Sequence, residues 1–450
     1  MPASDARGLA LSTGSDLAAE HYRRGVDLLL AAWPGAGEAL DQAIAADHGF
    51  ALAHAARGRL HAVRSELSQA RACLAMATEL VLLNGTARER SHVEILALLA
   101  HGEPGEALRQ ILSHLDDWPA DALTLSLPLG AFGLFAFSGM ADHDQARVDL
   151  CNRHARSYGA QDWWFLSARG WAEAENGDVV LARAMLQRAF ALRPENANAV
   201  HGWAHALYEA GAAAEADALL THWLPVYDRK GLLHGHLAWH MALLALEAGD
   251  GARALNIYAA QIAPAASAGL PINVVSDGAS LLWRLDANGA ANTSAAWADL
   301  AGYAARAFPK PGHPFVDLHM ALIEASIGDA VAVRRRADAN LARVETGVSV
   351  AGPVIPELCR AILEFAEGRG AACARRLQPI LGDVARIGGS GAQRQLVEDT
   401  YLIALIRSAQ SERAREFLDR RLHRRPSARD GRWRQALDRQ PVRPGSAANP

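Results

Sequence analysis

A chain of 450 residues in which half are hydrophobic and 21% are charged can bury a large core, which excludes a disordered polymer. Its formal net charge of -4 supplies no global field for nucleic acid or an anionic membrane, so neither is expected as a partner. Aromatic residues are scarce at 6%, and the abundance of Ala and Leu favours helices, where both lose little side-chain entropy.

Residues 1–15 are polar, lack an apolar secretory core and read as an extended lead-in. Ser15 or Asp16 then caps a helix through Tyr22, Val26 and Leu30, and a second helix follows over 38–46. From there Ala-rich helices alternate with short breaks at Gly, Pro, Asn or Asp, with no β-like alternation to compete. Ala122 to Ala141 carries no charge, but Pro128 and three glycines argue for an internal, well-packed helix after a bend rather than a membrane span. The cysteines Cys73, Cys151, Cys359 and Cys373 are far apart with no Cys-x-x-Cys pair, which points to a reducing, cytoplasmic setting.

The repeat is clearest in the middle of the chain. Trp163 to Gly177 and Val179 to Arg193 read as two helices of one hairpin, with small residues at Gly170, Ala182 and Ala189 in the manner of a tetratricopeptide repeat. Each hairpin exposes an apolar flank that only its neighbour can cover, so the expectation is all-α: a right-handed α-solenoid of ten to eleven tetratricopeptide-like hairpins over residues 16–424. Longer joins at 264–271 and 308–314 read as surface loops. Residues 425–450, rich in Arg and Pro, read as a solvated, disordered tail.

In such a stack equivalent positions become lateral neighbours on the concave wall. One position followed along the chain gives Trp171, His205, His240, Asp277, His319 and Cys359, in steps of 34, 35, 37, 42 and 40 residues. One turn earlier stand His201 and His236, with Trp203, Trp239 and Trp283 nearby in sequence. Imidazoles at i and i+4 share a helix face, so His201, His205, His236 and His240 are candidate ligands for a divalent transition metal, with Asp277 orienting one of them. No Glu lies inside either pair, which excludes a His-Glu-x-x-His zinc-peptidase helix. Two further readings of the same residues are metal-free acid/base catalysis by His205, His240, Asp277 and His319, and plain recognition of a peptide or small molecule. A buried core role is the simpler reading of Cys359 beside His319. The chain has no phosphate loop, dinucleotide fingerprint or Gly-x-Ser-x-Gly elbow, so no nucleotide cofactor is expected.

Asp162-Trp163-Trp164-Phe165, Val200-His201 with His205, His234-Gly-His236 with Trp239-His240, Asp277 with Leu282-Trp283-Arg284, Asp317-Leu-His319 and Gly388-Gly-Ser390 with Gln393-Arg394 follow one another in an order and spacing that resembles the tetratricopeptide repeat protein 38 family. The resemblance implies a cytosolic helical solenoid with no settled reaction, and its recurring polar positions fall on His201, His205, His236, His240, His319, Gln393 and Arg394. The chain departs from the family at Gln395, where its members often carry Asp. The expectation is a solenoid that binds a small molecule or partner peptide in a His/Trp-lined cavity, with Gln393 and Arg394 holding a carboxylate or phosphate if the superhelix closes. The alternative is an enzyme acting on a small molecule through the inner histidines. A homo-oligomer is compatible with either.

Overall fold

Short breaks between helix-forming runs leave each helix no room except against its predecessor, and successive antiparallel pairs result. The computed structural model describes residues 3–289 and 292–439. These contain twenty-three α-helices and no strand beyond one isolated bridge between Ser4 and Ala10. Ten hairpins run from Asp16–Leu30 with Ala36–Ala46 to Gly391–Arg407 with Ser411–Arg424, the short turn Ala122–Leu125 and the helix His143–His154 stand between the third and fourth, and a final helix, Ala428–Asp438, follows them. The fold is an all-α solenoid of tetratricopeptide-like helical pairs.

Helix ends in the middle of the chain follow from single side chains. Asp162 accepts hydrogen bonds from the Trp164 and Phe165 amides at 3.1 and 2.9 Å and so starts Trp163–Asn176. Gly177, at φ 100°, ends that helix in a left-handed conformation that a residue with a Cβ rarely adopts. Close approach between neighbours depends on two further glycines. A Cβ on Gly170 would stand 2.7 Å from Leu186 Cγ, and one on Gly202 would stand 2.7 Å from Leu186 Cδ2. Leu186 is fully buried between them and cannot retreat from both. Gly202→Val is therefore expected to lower stability by about 1–3 kcal/mol, the cost of overpacking a filled interior, read as a lower urea midpoint at unchanged slope.

Two expectations fail. Residues 122–141 do not form one packed helix: a single turn, Ala122–Leu125, gives way to bends and a short 3-10 turn, Ala136–Ser138. Gly130 and Gly139 sit at φ 81° and 83°, and a Cβ at Gly133 would collide with the Leu129 carbonyl, so three glycines hold an irregular buried path that a helix cannot follow. The tail also differs. Residues 428–438 are helical, capped by the Ser427 hydroxyl accepting from the Asp430 amide at 3.1 Å, and Arg425, Arg429 and Asp430 are buried. Arg429 pairs with Asp399 at 2.9 Å and Asp430 with Arg421 at 2.8 Å, while Arg425 lies over the Tyr208 ring at 4.1 Å, so none of the three depends on solvent. Residues 440–450 of the expected tail, and residues 1–2 of the lead-in, lie outside the described residues.

The solenoid closes on itself. Gly391–Arg407 packs against Pro271–Ala287, where Trp283 Nε1 donates to Thr400 Oγ1 at 3.0 Å, and it also reaches residues more than 200 positions earlier. The first hairpin meets the middle of the chain in turn, with the Ala197 amide donating to the Ala31 carbonyl at 3.0 Å. The apolar core falls into two large clusters, one from Leu11 to Ala172 and one from Ala197 to Leu437 that also takes in Ala32, with two small ones besides.

Candidate metal centre

Ala197–Glu209 and His234–Ala248 are the leading helices of adjacent hairpins, and each carries two histidines one turn apart on the same face. Stacking brings the four rings together. Ring centroids of His201 and His205 are 4.6 Å apart, those of His205 and His240 4.5 Å, and those of His201 and His236 4.8 Å. One nitrogen from each ring can be chosen so that all four lie within 4.8 Å of one another. His201 Nε2 stands 3.0 Å from His205 Nε2 and 3.1 Å from His236 Nε2.

Carboxylates back two of these rings. Asp277 Oδ2, from Pro271–Ala287, is 2.8 Å from His236 Nδ1, and Glu175 Oε1, from Trp163–Asn176, is 2.8 Å from His205 Nδ1. The Asp277 hydrogen bond holds the His236 proton on Nδ1 and leaves its Nε2 lone pair turned toward the cluster, and the Glu175 carboxylate, within ion-pair distance of His205 Nδ1, favours the same tautomer there. Burial, reinforced by the neighbouring imidazoles, pushes His201 and His240 well below the usual histidine range, so both rings are neutral at physiological pH.

A pocket of about 220 Å³ opens beside this cluster, with His201 and His236 in its wall and Leu129, Phe132 and Trp164 on its apolar side. Gln393 reaches the same pocket from the closing helix. Its Oε1 accepts from the Ser390 amide at 3.0 Å, completing a capping box, while its Nε2 has no protein partner.

Other residues proposed from sequence are placed elsewhere. Trp239 does join the cluster, stacking on His236 at 5.3 Å with its Nε1 donating to Ser280 Oγ at 3.0 Å. Trp203, two positions beyond His201, falls on the far side of the helix and packs against Phe190 at 5.8 Å. Trp283 packs against Phe365 and binds Thr400, so it fastens the closing helix and is not a ligand wall. His319 is bonded to its own helix, Nδ1 to the Phe315 carbonyl at 2.7 Å, and burial pushes it down to about 4. Cys359 is fully buried, and burial pushes its thiol far up, which suits core packing and not a nucleophile. Arg394 turns away from Gln393, as adjacent helix positions must, and pairs with Asp144 at 2.7 Å.

Glu175 is the participant that sequence reading missed. It lies one turn beyond Trp171, and Glu209 repeats it 34 residues later, so a third rung of the ladder carries the signal. Its second oxygen, Oε2, accepts from the Gly391 amide at 2.7 Å at the start of the closing helix.

No protein-family model matches the chain. Among solved structures it is similar to yeast Tom70, at 12% identity over 94% of this chain and 95% of that one with a TM-score of 0.33. It is also similar to a monomeric mutant of IFIT1 with Gppp-AAAA, at 12% identity over 95% of this chain and 81% of that one with a TM-score of 0.34. Neither likeness bears on the site. No described helix is long and apolar enough to cross a membrane.

Proposed function

We propose that this chain binds one divalent transition metal through His201, His205, His236 and His240 and receives a small molecule in the pocket beside that centre. The carrying observation is the four buried imidazole nitrogens lying within 4.8 Å of one another. Four nitrogens held tetrahedrally at roughly 2.0–2.1 Å from an ion would stand about 3.4 Å apart. Separations of 3.0 and 3.1 Å around His201 are close to that edge.

Proton accounting supports the same reading. With the His205 and His236 protons on Nδ1, both Nε2 lone pairs converge on His201 Nε2, which has at most one hydrogen to offer. A cation satisfies every lone pair at once, and the two carboxylates match its charge. Neutral, desolvated imidazoles are the form that ligates, and an all-nitrogen set suits Zn²⁺, Ni²⁺, Cu²⁺ or Co²⁺. The resemblance to the tetratricopeptide repeat protein 38 family adds support, because its recurring histidines include these four. An enzyme acting on the bound molecule is a second reading, favoured by His201 and His236 belonging to the pocket wall instead of being sealed behind it.

Elemental analysis of protein purified without an affinity tag is expected to find about one equivalent of transition metal per chain, with loss in His201→Ala and His236→Ala. Protein that is folded by circular dichroism and takes up neither Zn²⁺ nor Co²⁺ at micromolar free concentration would refute the proposal.

A further inference from the structure

The pocket beside the histidines holds more unanswered hydrogen-bond donors than its size would suggest. Ser167 Oγ, Trp171 Nε1 and Gln393 Nε2 all lack a protein partner, all three residues are more than nine-tenths buried, and all three line this pocket. They come from two elements distant in sequence, Trp163–Asn176 and Gly391–Arg407, and they meet only because the solenoid closes. An orphaned buried donor costs about 1–3 kcal/mol, so three in one cavity mark a place where a ligand oxygen belongs.

The rest of the lining narrows the class. It contains no Asp, Glu, Lys or Arg, so nothing repels an anion and nothing on the wall competes for it. Leu129, Phe132, Trp164, Leu233 and Leu270 supply the opposite, apolar side. At about 220 Å³ the cavity is smaller than the roughly 300–1,000 Å³ typical of sites for drug-sized molecules.

We infer that the pocket binds a compact carboxylic acid with an apolar body, its carboxylate taken by Ser167, Trp171 and Gln393 beside the imidazoles and its body among Leu129, Phe132 and Trp164. The inference rests on the metal reading above, because a cation held by His201 and His236 would lie next to the pocket, while the Asp277 and Glu175 carboxylates that balance its charge meet the opposite, Nδ1 edges of their rings. A carboxylate is preferred to a neutral oxygen because its two oxygens offer about four lone-pair directions, enough for all three donors, where an alcohol or carbonyl offers about two. The donors belong to two elements, so a bound acid also ties the closing helix to the middle of the solenoid.

The test is calorimetric titration of the zinc-loaded full chain with benzoate, and with benzyl alcohol as the neutral control. Benzoate is expected to bind at least about tenfold more tightly than benzyl alcohol, the step expected of hydrogen bonds to a charged acceptor. Trp171→Phe keeps the ring and removes the N–H, and Gln393→Glu keeps the oxygen that caps Ser390 and removes the donor. Each should weaken benzoate about tenfold while zinc stoichiometry stays at the wild-type value. Should Gln393→Glu disturb the cap, Ser167→Ala, the smallest change, carries the same expectation. Equal binding of benzoate and benzyl alcohol, or wild-type benzoate affinity in Trp171→Phe and Ser167→Ala, would overturn the carboxylate site and leave the metal reading standing. Failure of the wild-type chain to hold zinc would overturn both.

Discussion

Asp399→Ala should destabilise the protein by about 3–5 kcal/mol, the range found when one partner of a buried ion pair is removed and the other is left uncompensated. Three arginines converge on this carboxylate: Arg284 Nε at 3.0 Å, Arg421 Nη2 at 2.8 Å and Arg429 Nη2 at 2.9 Å. They come from three different helices, Pro271–Ala287, Ser411–Arg424 and Ala428–Asp438, and Asp399 itself lies on the closing helix. All four side chains are at least nine-tenths buried, so water cannot take over what the carboxylate supplies. Asp430 also pairs with Arg421, at 2.8 Å, in either variant, and Asp399→Asn should be milder than Asp399→Ala because its amide oxygen still accepts from an arginine. Chemical denaturation followed by circular dichroism measures both, and a loss below 1 kcal/mol in Asp399→Ala would show that the cluster is not what fastens the C-terminal helices.

The same cluster fixes a pH dependence. Burial alone would raise the Asp399 carboxyl, but Arg429, Arg421 and Arg284 outweigh it and hold its folded-state pKa below the usual carboxylate range. A depressed pKa contributes stability that is fully present above the unfolded value of about 3.9 and is lost as pH falls toward the folded one. Asp399→Asn should flatten the acid limb of the stability curve below about pH 4 and leave the neutral region parallel to wild type.

What could be read from the sequence, and what could not, follows the range of the forces involved. His201, His205, His236 and His240 were legible because two local rules, the helical turn and the repeat step, suffice to superimpose them. Asp277 came from the same stepping, and the structure sets it 2.8 Å from His236. Trp203 went wrong on the first of those rules, since two positions along a helix is more than half a turn around it. The closure was invisible for a different reason. Arg394 with Asp144 and Gly391 with Glu175 join residues 250 and 216 positions apart, and no periodicity in the chain encodes such a pair. The Arg-rich C-terminus misled by composition: its charge looked like a reason for solvation until Asp399 paired with Arg429 and Arg421 with Asp430 inside the fold.

Glu175→Gln should weaken metal binding about 10–100-fold, the usual cost of altering a residue that orients a ligating histidine. The loss follows from proton placement and not from charge alone. Glu175 has two oxygens in use, Oε1 beside His205 Nδ1 and Oε2 accepting from the Gly391 amide at 2.7 Å. A glutamine can satisfy only one of them as an acceptor. If its oxygen keeps the Gly391 amide, its NH₂ group faces His205 Nδ1, the ring must carry its proton on Nε2, and the lone pair that faced the cluster is gone. Glu175→Ala removes both contacts and should also free the start of the closing helix. Asp277→Asn should match the metal loss of Glu175→Gln through His236 and spare Gly391, which Asp277 does not touch. Competition with a chelator gives the metal affinities, and hydrogen exchange at the Gly391 amide reports the closure. Slow exchange in Glu175→Gln and Asp277→Asn with fast exchange in Glu175→Ala would establish one carboxylate as the link between ligand orientation and the closed ring of helices. Equal metal affinity in all three variants and wild type would mean that the carboxylates do not orient the imidazoles, and with that the coordination assigned to His205 and His236 would fall.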